Sequence, residues 1–212
     1  MRPRPSIFRF AVAVALTLAA AFPAVRDSRA QAAAPAPAAA LPAAPAELSE
    51  EARKAYQQGL KDARESIARK QYPAATARLD SLLLQRPREP QARFLKGVVE
   101  TERGDADAAI ATFRSLTEDF PELPEPYNNL AVLYAQKGNW DGARIALETA
   151  LTTAPDWGVA HENLGDVYVR LAAIHYDRAA TLDRDNKAAA AKLVQARDLL
   201  APRPAAAASA KP

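Results

Sequence analysis

The chain of 212 residues contains no cysteine. Without a thiol it can form no disulfide bond, and no cysteine can act as a catalytic nucleophile. Attachment of a lipid through a lipobox cysteine is excluded for the same reason. The absence of this one residue type therefore rules out disulfide-stabilised domains, thiol enzymes and lipoproteins.

Histidine is nearly absent as well, with His161 and His175 as the two examples. His161 opens the sequence HENLG, but Gly165 stands where the zinc-protease motif HExxH needs its second histidine, so that site cannot form. We predict that His161 fills the aromatic packing position of its helix. For His175 we predict a packed or interface position, with a pH-sensitive contact as the alternative.

Motifs for phosphate binding and for serine hydrolysis are also missing. The seven glycines are isolated, and the chain has neither a glycine-rich phosphate loop nor a G-x-S-x-G sequence. Carboxylates are plentiful, but Glu118-Asp119 and the pair Asp183 and Asp185 fall at predicted helix ends, where capping and solvent account for them. The sequence therefore predicts a protein that is not an enzyme and that has no cofactor and no metal site.

The first 30 residues have the three parts of a secretory signal peptide. A basic region with three arginines comes first, followed by an apolar run of 13 residues over 10–22 and by small residues at Ser28 and Ala30. We predict cleavage after Ala30. A retained membrane anchor is the alternative, but this run falls short of the roughly 20 residues that a spanning helix needs.

Removing residues 1–30 changes the charge of the chain. The full sequence has 28 basic and 25 acidic residues, whereas residues 31–212 have 23 basic and 24 acidic residues. This near-neutral remainder gives no support for binding to nucleic acid or to an anionic membrane. Together with the absence of cysteine, the signal indicates a soluble periplasmic protein of bacterial type, without a lipid anchor or a membrane span after cleavage.

Alanine and proline dominate both ends of the mature chain. Residues 31–46 read QAAAPAPAAALPAAPA, where repeated proline forbids a helix, so we predict a disordered, extended linker. Residues 201–212 have a similar composition and are predicted to form a disordered tail. The folded part is therefore predicted over residues 47–200.

The stretch from Pro124 to Trp157 is predicted to form two helices separated by a turn at Gly138-Asn139. Apolar residues at 3–4 spacing give each helix one hydrophobic face. The pattern recurs with a step of 34 residues, which is the period of the tetratricopeptide repeat. Residues related by this step are Pro87, Pro121 and Pro155; Gly104 and Gly138; Ala75, Ala109 and Ala143; Leu79, Phe113 and Leu147; Leu130 and Leu164; and Tyr134 and Tyr168.

Residues 50–186 resemble the tetratricopeptide-repeat family. The resemblance implies an all-α fold, a right-handed solenoid of helical hairpins with a C-terminal capping helix. The predicted repeats cover 56–89, 90–123 and 124–157, a degenerate repeat covers 158–186, and the capping helix covers 187–200. Family positions are filled by Tyr127, Leu130-Ala131, Tyr134, Gly138, Ala143, Ala150 and Pro155.

The fourth unit lacks a turn signal. Its apolar residues keep a helical spacing from Leu164 through Tyr168 and His175 to Leu182, with no intervening proline. We predict one helix over about 158–182, with a tight turn near Ala172-Ala173 as the alternative. Because the far half of such a helix could not fold back on the preceding hairpin, it needs the last helix or another molecule as cover. A homodimer through the 165–182 helix is one predicted arrangement.

In tetratricopeptide arrays the first helix of each hairpin lines a concave groove, so the resemblance implies a partner-binding site on these helices. The pattern of paired lysine and asparagine with which some members grip a C-terminal carboxylate is not reproduced here. Carboxylates in the groove favour a partner segment with apolar anchors and some positive charge. The implied groove residues are Gln91, Phe94, Val98, Thr101, Glu125, Asn128, Val132, Gln136, Glu162, Asp166, Val169 and Arg170.

The resemblance implies a non-catalytic scaffold that binds a segment of another protein in this groove, and the signal peptide predicts that this scaffold belongs to the cell envelope. Two alternatives stay open from the sequence. One is an accessory subunit that positions or activates a periplasmic enzyme of the cell-wall or protease type. The other is a self-assembling, dimeric repeat module.

Overall fold

The computed structural model describes residues 49–201, and all regular structure in this range is helical. The all-α class predicted from the repeat pattern is therefore confirmed. The predicted signal peptide (1–30), the linker (31–46) and the predicted tail beyond residue 201 lie outside the described residues. The helices are α1 (Glu50–Ala68), α2 (Tyr72–Gln85), α3 (Pro90–Glu102), α4 (Ala106–Asp119), α5 (Pro124–Gln136), α6 (Trp140–Thr153), α7 (Gly158–Leu182) and α8 (Lys187–Leu200).

The hairpin turns place one residue each in the left-handed backbone region. Gly104 has φ 82° and Gly138 has φ 77°, a conformation that costs glycine little because it has no Cβ. Lys70 takes the same role between α1 and α2 with φ 57°. The first hairpin therefore keeps the turn geometry of the repeat although its sequence has lost the glycine.

Side-chain caps begin three of the helices. Ser49 and Asn139 accept hydrogen bonds from the backbone N–H of Ala52 and Gly142, and Asn186 caps α8 in the same way. Asp105 occupies the N-cap position of α4, but its side chain makes no capping hydrogen bond. Its carboxylate instead forms an ion pair with Arg103 at 3.2 Å.

The described residues divide into two compact units, with the boundary between residues 95 and 96, inside α3. In the first unit, 49–95, α1 packs against α2. The α1 side contributes Tyr56, Leu60 and Ala63 to the core, and Leu82 of α2 approaches Gly59 so closely that a Cβ there would lie 2.9 Å from Leu82 Cδ2. Gly59 is therefore explained by packing, although it stands in the middle of a helix.

In the second unit, 96–201, neighbouring helices pack in sequence order from α4 to α8, and α5 also contacts α7. The α3 residues of this unit contact α4 through Gly97, where a Cβ would lie only 2.7 Å from the Phe113 ring. Fully buried residues, among them Phe113, Leu116 and Leu147, form the apolar core of these hairpins.

Helix α7 runs unbroken for 25 residues, which confirms the continuous helix and excludes the turn near Ala172-Ala173. Its first half buries Ala160, Asn163 and Val167. Its second half packs against α8 in a cluster that contains Val169, Ala173, Tyr176, Leu193, Ala196 and Leu200. Helix α8, the last helix of the described residues, thus covers part of the far half.

The buried face of α7 is not the predicted apolar stripe. Tyr168 and His175 are exposed and Leu164 is only half-buried, because α8 packs on a different side of the helix. The packed position expected for His175 is therefore wrong, while its role at an interface stays a prediction. No helix within residues 49–201 combines the length and the apolar character needed to cross a membrane.

Candidate partner-binding surface

Helices α5 and α7, each the first helix of its hairpin, are joined by a buried pair of asparagines. Asn163 Nδ2 donates a hydrogen bond to Asn128 Oδ1 at 2.8 Å, and Asn128 is 2% exposed. Because buried amides need partners, this bond fixes the two helices against each other. Asn128, predicted to bind a partner, connects two repeats in this structure, and Asn163 was missed although it lies one 34-residue step after Asn129.

Glu125 lies one helical turn before Asn128 on α5. Its Oε2 atom is buried and has no hydrogen-bond partner among the described residues. Burial raises the pKa of the Glu125 carboxyl, against the opposing effect of a hydrogen bond from its own backbone N–H. This carboxylate therefore has the capacity to accept a hydrogen bond that the chain itself does not supply.

Two further predicted carboxylates lie on α7, the helix that Asn163 joins to α5. Glu162 and Asp166 are exposed and lie one turn apart. Desolvation of the Asp166 carboxyl and, second, the negative charge of Glu162 raise the pKa of Asp166. We refer to Glu125, Glu162 and Asp166 as the acidic strip.

The predicted apolar anchors are mostly unavailable in this structure. Phe94, Val98 and Val132 are all buried. Val169 is partly buried and packs into the cluster between α7 and α8. Apolar side chains on the first helix of a hairpin thus serve the core here, and their contact with a partner stays a prediction.

The remaining predicted groove residues differ in the contacts that they make and in their exposure. Gln91 accepts a hydrogen bond from Arg64 Nη2 at 3.2 Å, and Thr101 Oγ1 donates to the Gly97 carbonyl at 2.8 Å. Arg170 is half-buried with its guanidinium 5.2 Å from the centre of the Trp140 ring, which is a cation–π arrangement. Gln136 is exposed at the end of α5.

Histidine and metal chemistry find no support in the described part of the chain. His161 is exposed, and its Nε2 lies 2.7 Å from the Pro155 carbonyl oxygen, so the packing position predicted for it is wrong. Across residues 49–201 no three side chains of His, Asp or Glu come together in a way that could hold a metal ion.

Comparison with known protein families identifies the helical repeats. Two family models described as tetratricopeptide repeat match residues 60–124 and 100–164. The chain contains tetratricopeptide repeats. These repeats explain the 34-residue step and the glycine turns, while α7 and α8 extend beyond the matched residues. No curated protein matches the chain.

Solved structures agree on the fold of the tetratricopeptide repeats. TTC0263, a thermophilic TPR protein of Thermus thermophilus, is similar with a TM-score of 0.52 at 20% identity, over 68% of this chain and 82% of that one. The Cut9–Hcn1 hetero-tetramer gives 0.50 at 19% identity, over 69% of this chain and 33% of that one.

The structure of Naa15/Naa10 bound to HypK-THB gives a TM-score of 0.50 at 15% identity, over 68% of this chain. This chain spans only 23% of the length of the chain that it matches there. At these identities the likeness establishes the fold alone, which is an all-α tetratricopeptide solenoid.

Proposed function

We propose that this protein is a non-catalytic scaffold that binds a positively charged segment of a partner protein along α5 and α7. The observation that carries the proposal is the Glu125 carboxylate, whose Oε2 atom is buried without a hydrogen-bond partner. A buried carboxylate oxygen without a donor costs free energy. Because Glu125 as a whole is only half-buried, rotation of its side chain would bring this oxygen to the surface, where a lysine or arginine side chain from a partner would supply the missing donor.

The charge of the surroundings supports a basic partner. Residues 96–201 contain 17 acidic and 11 basic residues, a net charge of −6. Within this unit Glu162 and Asp166 extend the acidic strip along the first turns of α7. Such a field raises the association rate of a basic segment and disfavours an acidic one.

The family supports a role in protein interaction. Tetratricopeptide modules generally act by binding other proteins, and two of the similar structures contain partner proteins, HypK-THB in one and Hcn1 in the other. We propose the same general role here, without catalysis of its own. Assays for turnover of peptidoglycan and of generic peptides are expected to give no activity in the purified protein.

We also propose that the protein is exported to the periplasm. The basic, apolar and small-residue regions of residues 1–30 support this location. Expression of the full chain in a bacterium, followed by fractionation and mass spectrometry, is expected to yield a periplasmic protein that begins at Gln31. Retention of residues 1–30 on a membrane-associated product would contradict export by cleavage.

The binding proposal is tested by selection of random 12-residue peptides displayed on phage against the purified protein. We expect the selected peptides to be enriched in lysine and arginine beside apolar residues. Their affinity should fall at least tenfold in a variant with Glu125→Gln, Glu162→Gln and Asp166→Asn, because all three changes remove charge and keep side-chain size.

A matched control is Glu118→Gln, which removes one exposed carboxylate on α4, away from the acidic strip. Circular dichroism of both variants confirms that the helices are intact. Peptides that bind the triple variant and the parent equally, or a selection without basic enrichment, would contradict the proposal.

A further inference from the structure

One side of α7 is not packed against a second helix of its own repeat unit within residues 49–201, in contrast to α5, which packs against α6. Leu164, Gly165 and Tyr168 lie one 34-residue step after Leu130, Ala131 and Tyr134 of α5, a helix that packs against α6. Ala131 is buried, whereas a Cβ at Gly165 would meet nothing within 4 Å and Tyr168 is 48% exposed. The place of a second helix is therefore open in the fourth unit.

Helix α8 does not fill this place. Its apolar side chains pack against Val169, Ala173 and Tyr176, which lie further along α7 than Gly165. The last residue of α8, Leu200, belongs to the same cluster. Within residues 49–201, the first three turns of α7 are therefore left without a second helix of their own unit.

Helix α6 borders the position on α7 that is left without a second helix. Tyr168 donates its hydroxyl hydrogen to Glu148 Oε1 at 2.8 Å, which holds the Tyr168 ring beside α6. Ile145 lies one turn before Glu148 on the same helix face and is 55% exposed. We define Ile145, Leu164, Gly165 and Tyr168 as the open slot.

The two compact units carry opposite charge. Residues 49–95 contain ten basic and six acidic residues, a net charge of +4, whereas the unit that contains the open slot has a net charge of −6. Opposite charge on two surfaces of one chain favours contact between different copies of that chain. The first unit of a second copy is therefore complementary in net charge to the unit that contains the open slot, although the four slot residues are themselves uncharged.

The first unit also presents a suitable helix. The outer face of α2 carries Ala77, Ser81 and Leu84 at helical spacing, and all three are exposed. Leu84 is 85% exposed, more than any other large apolar side chain of the described residues. Small residues permit a close approach to Gly165, and Leu84 supplies an apolar side chain next to them.

We propose that α2 of a second copy occupies the open slot, so that two copies associate head to tail. The contact is heterologous, because a slot on one copy receives a different surface of the other. A single docked helix covers less area than a stable dimer needs, which places this contact in the weak, transient class. The open slot contains no residue of the acidic strip, although the strip contributes three of the negative charges of the same unit.

The test is sedimentation equilibrium of the purified protein over a wide concentration range at low and high salt. We expect a mass that rises with concentration and rises less at high salt, because salt screens the complementary charges. Leu84→Glu and Gly165→Arg should each weaken association at least tenfold. Both positions are exposed, so neither change removes a core contact. Val194→Glu, an exposed position on α8, is the control and should leave association unchanged.

Mixing the two weakened variants separates this geometry from other forms of self-association. The Leu84→Glu copy keeps an intact slot and the Gly165→Arg copy keeps an intact α2, so the mixture should recover association that stops at a heterodimer. A monomer at every concentration would overturn the proposal. So would a self-association that Leu84→Glu leaves unchanged, which would indicate pairing of α7 through Ile174 and Leu182, or a mixture that recovers nothing.

Discussion

Gly97 of α3 and Gly165 of α7 occupy the same position of the repeat, two periods apart, but have different surroundings. A Cβ at Gly97 would lie 2.7 Å from two ring carbons of Phe113, whereas a Cβ at Gly165 would contact nothing. The second helix of the hairpin makes the difference, because Phe113 of α4 packs against α3 and no helix of residues 49–201 takes the equivalent place on α7.

The comparison shows that a repeat residue has no fixed structural role of its own. Gly97 is required because the Phe113 ring leaves no room for a side chain there. Gly165 is also a glycine, although no described residue packs against it in the same way. The same holds for Leu164 and Tyr168, which have the right identity and spacing for a core but remain partly exposed. The following substitutions test which of these residues the packing of the repeats requires and which can be replaced with little loss of stability.

The largest expected loss of stability comes from removing the Phe113 ring, which lies beside Gly97. Phe113→Ala is expected to cost about 3–5 kcal/mol of unfolding free energy, because a fully buried aromatic side chain leaves a cavity. Tyr168→Ala, the matched change on the uncovered helix, should cost less than about 1 kcal/mol. Urea denaturation followed by circular dichroism measures both. Equal losses would show that the slot is covered in solution.

The two halves of α7 allow a second comparison. Asn163→Ala is expected to cost about 1–3 kcal/mol, because it leaves the buried Asn128 amide without its partner. Asp177→Ala removes an exposed ion pair with Arg197 on α8 and should cost about 0–1 kcal/mol. Hydrogen exchange can measure the local stability of each half. A larger loss from Asp177→Ala would reverse the assignment of the two halves.

Local sequence signals predicted the helices and turns well. Gly104 and Gly138 mark turns because their backbone conformation depends on the residue itself, and the unbroken spacing of 158–182 indicated a single helix. The surface residues were harder to predict. Whether Val132 or Tyr168 is accessible depends on which helix packs against it, and the packing of α8 was not encoded in the 34-residue step. Asn163 was missed because its partner lies in another helix.

Alanine at the two glycines should give effects of opposite sign. Gly97→Ala is expected to cost about 1–2 kcal/mol, since displacement of the Phe113 ring outweighs the better helix propensity of alanine. Gly165→Ala should instead add about 0.5–1 kcal/mol, because the propensity gain meets no steric cost. Thermal denaturation of both variants in parallel is sufficient. A loss from Gly165→Ala would reveal a neighbour that the structure does not contain.

The smallest expected effect on stability comes from neutralising a single carboxylate, either Glu125 on α5 or Asp166 on α7. Burial raises the pKa of Glu125 in the folded state, so its carboxyl binds a proton more tightly when folded than when unfolded. The resulting contribution to stability is present at low pH and is lost as the pH rises through the folded pKa. Glu125→Gln should therefore stabilise the protein at pH 7, and the difference from the parent should shrink as the pH falls toward about 4.

Asp166 on α7 provides the matched case, because desolvation and the charge of Glu162 raise its pKa in the same direction. Asp166→Asn should show the same sign with a smaller amplitude, since Asp166 is exposed and solvent screens its charge. Urea denaturation between pH 4 and pH 7 measures both differences. A stabilisation by Glu125→Gln that does not change with pH would mean that the gain comes from side-chain shape. In that case the unpaired carboxylate would not be a charged group awaiting a basic partner.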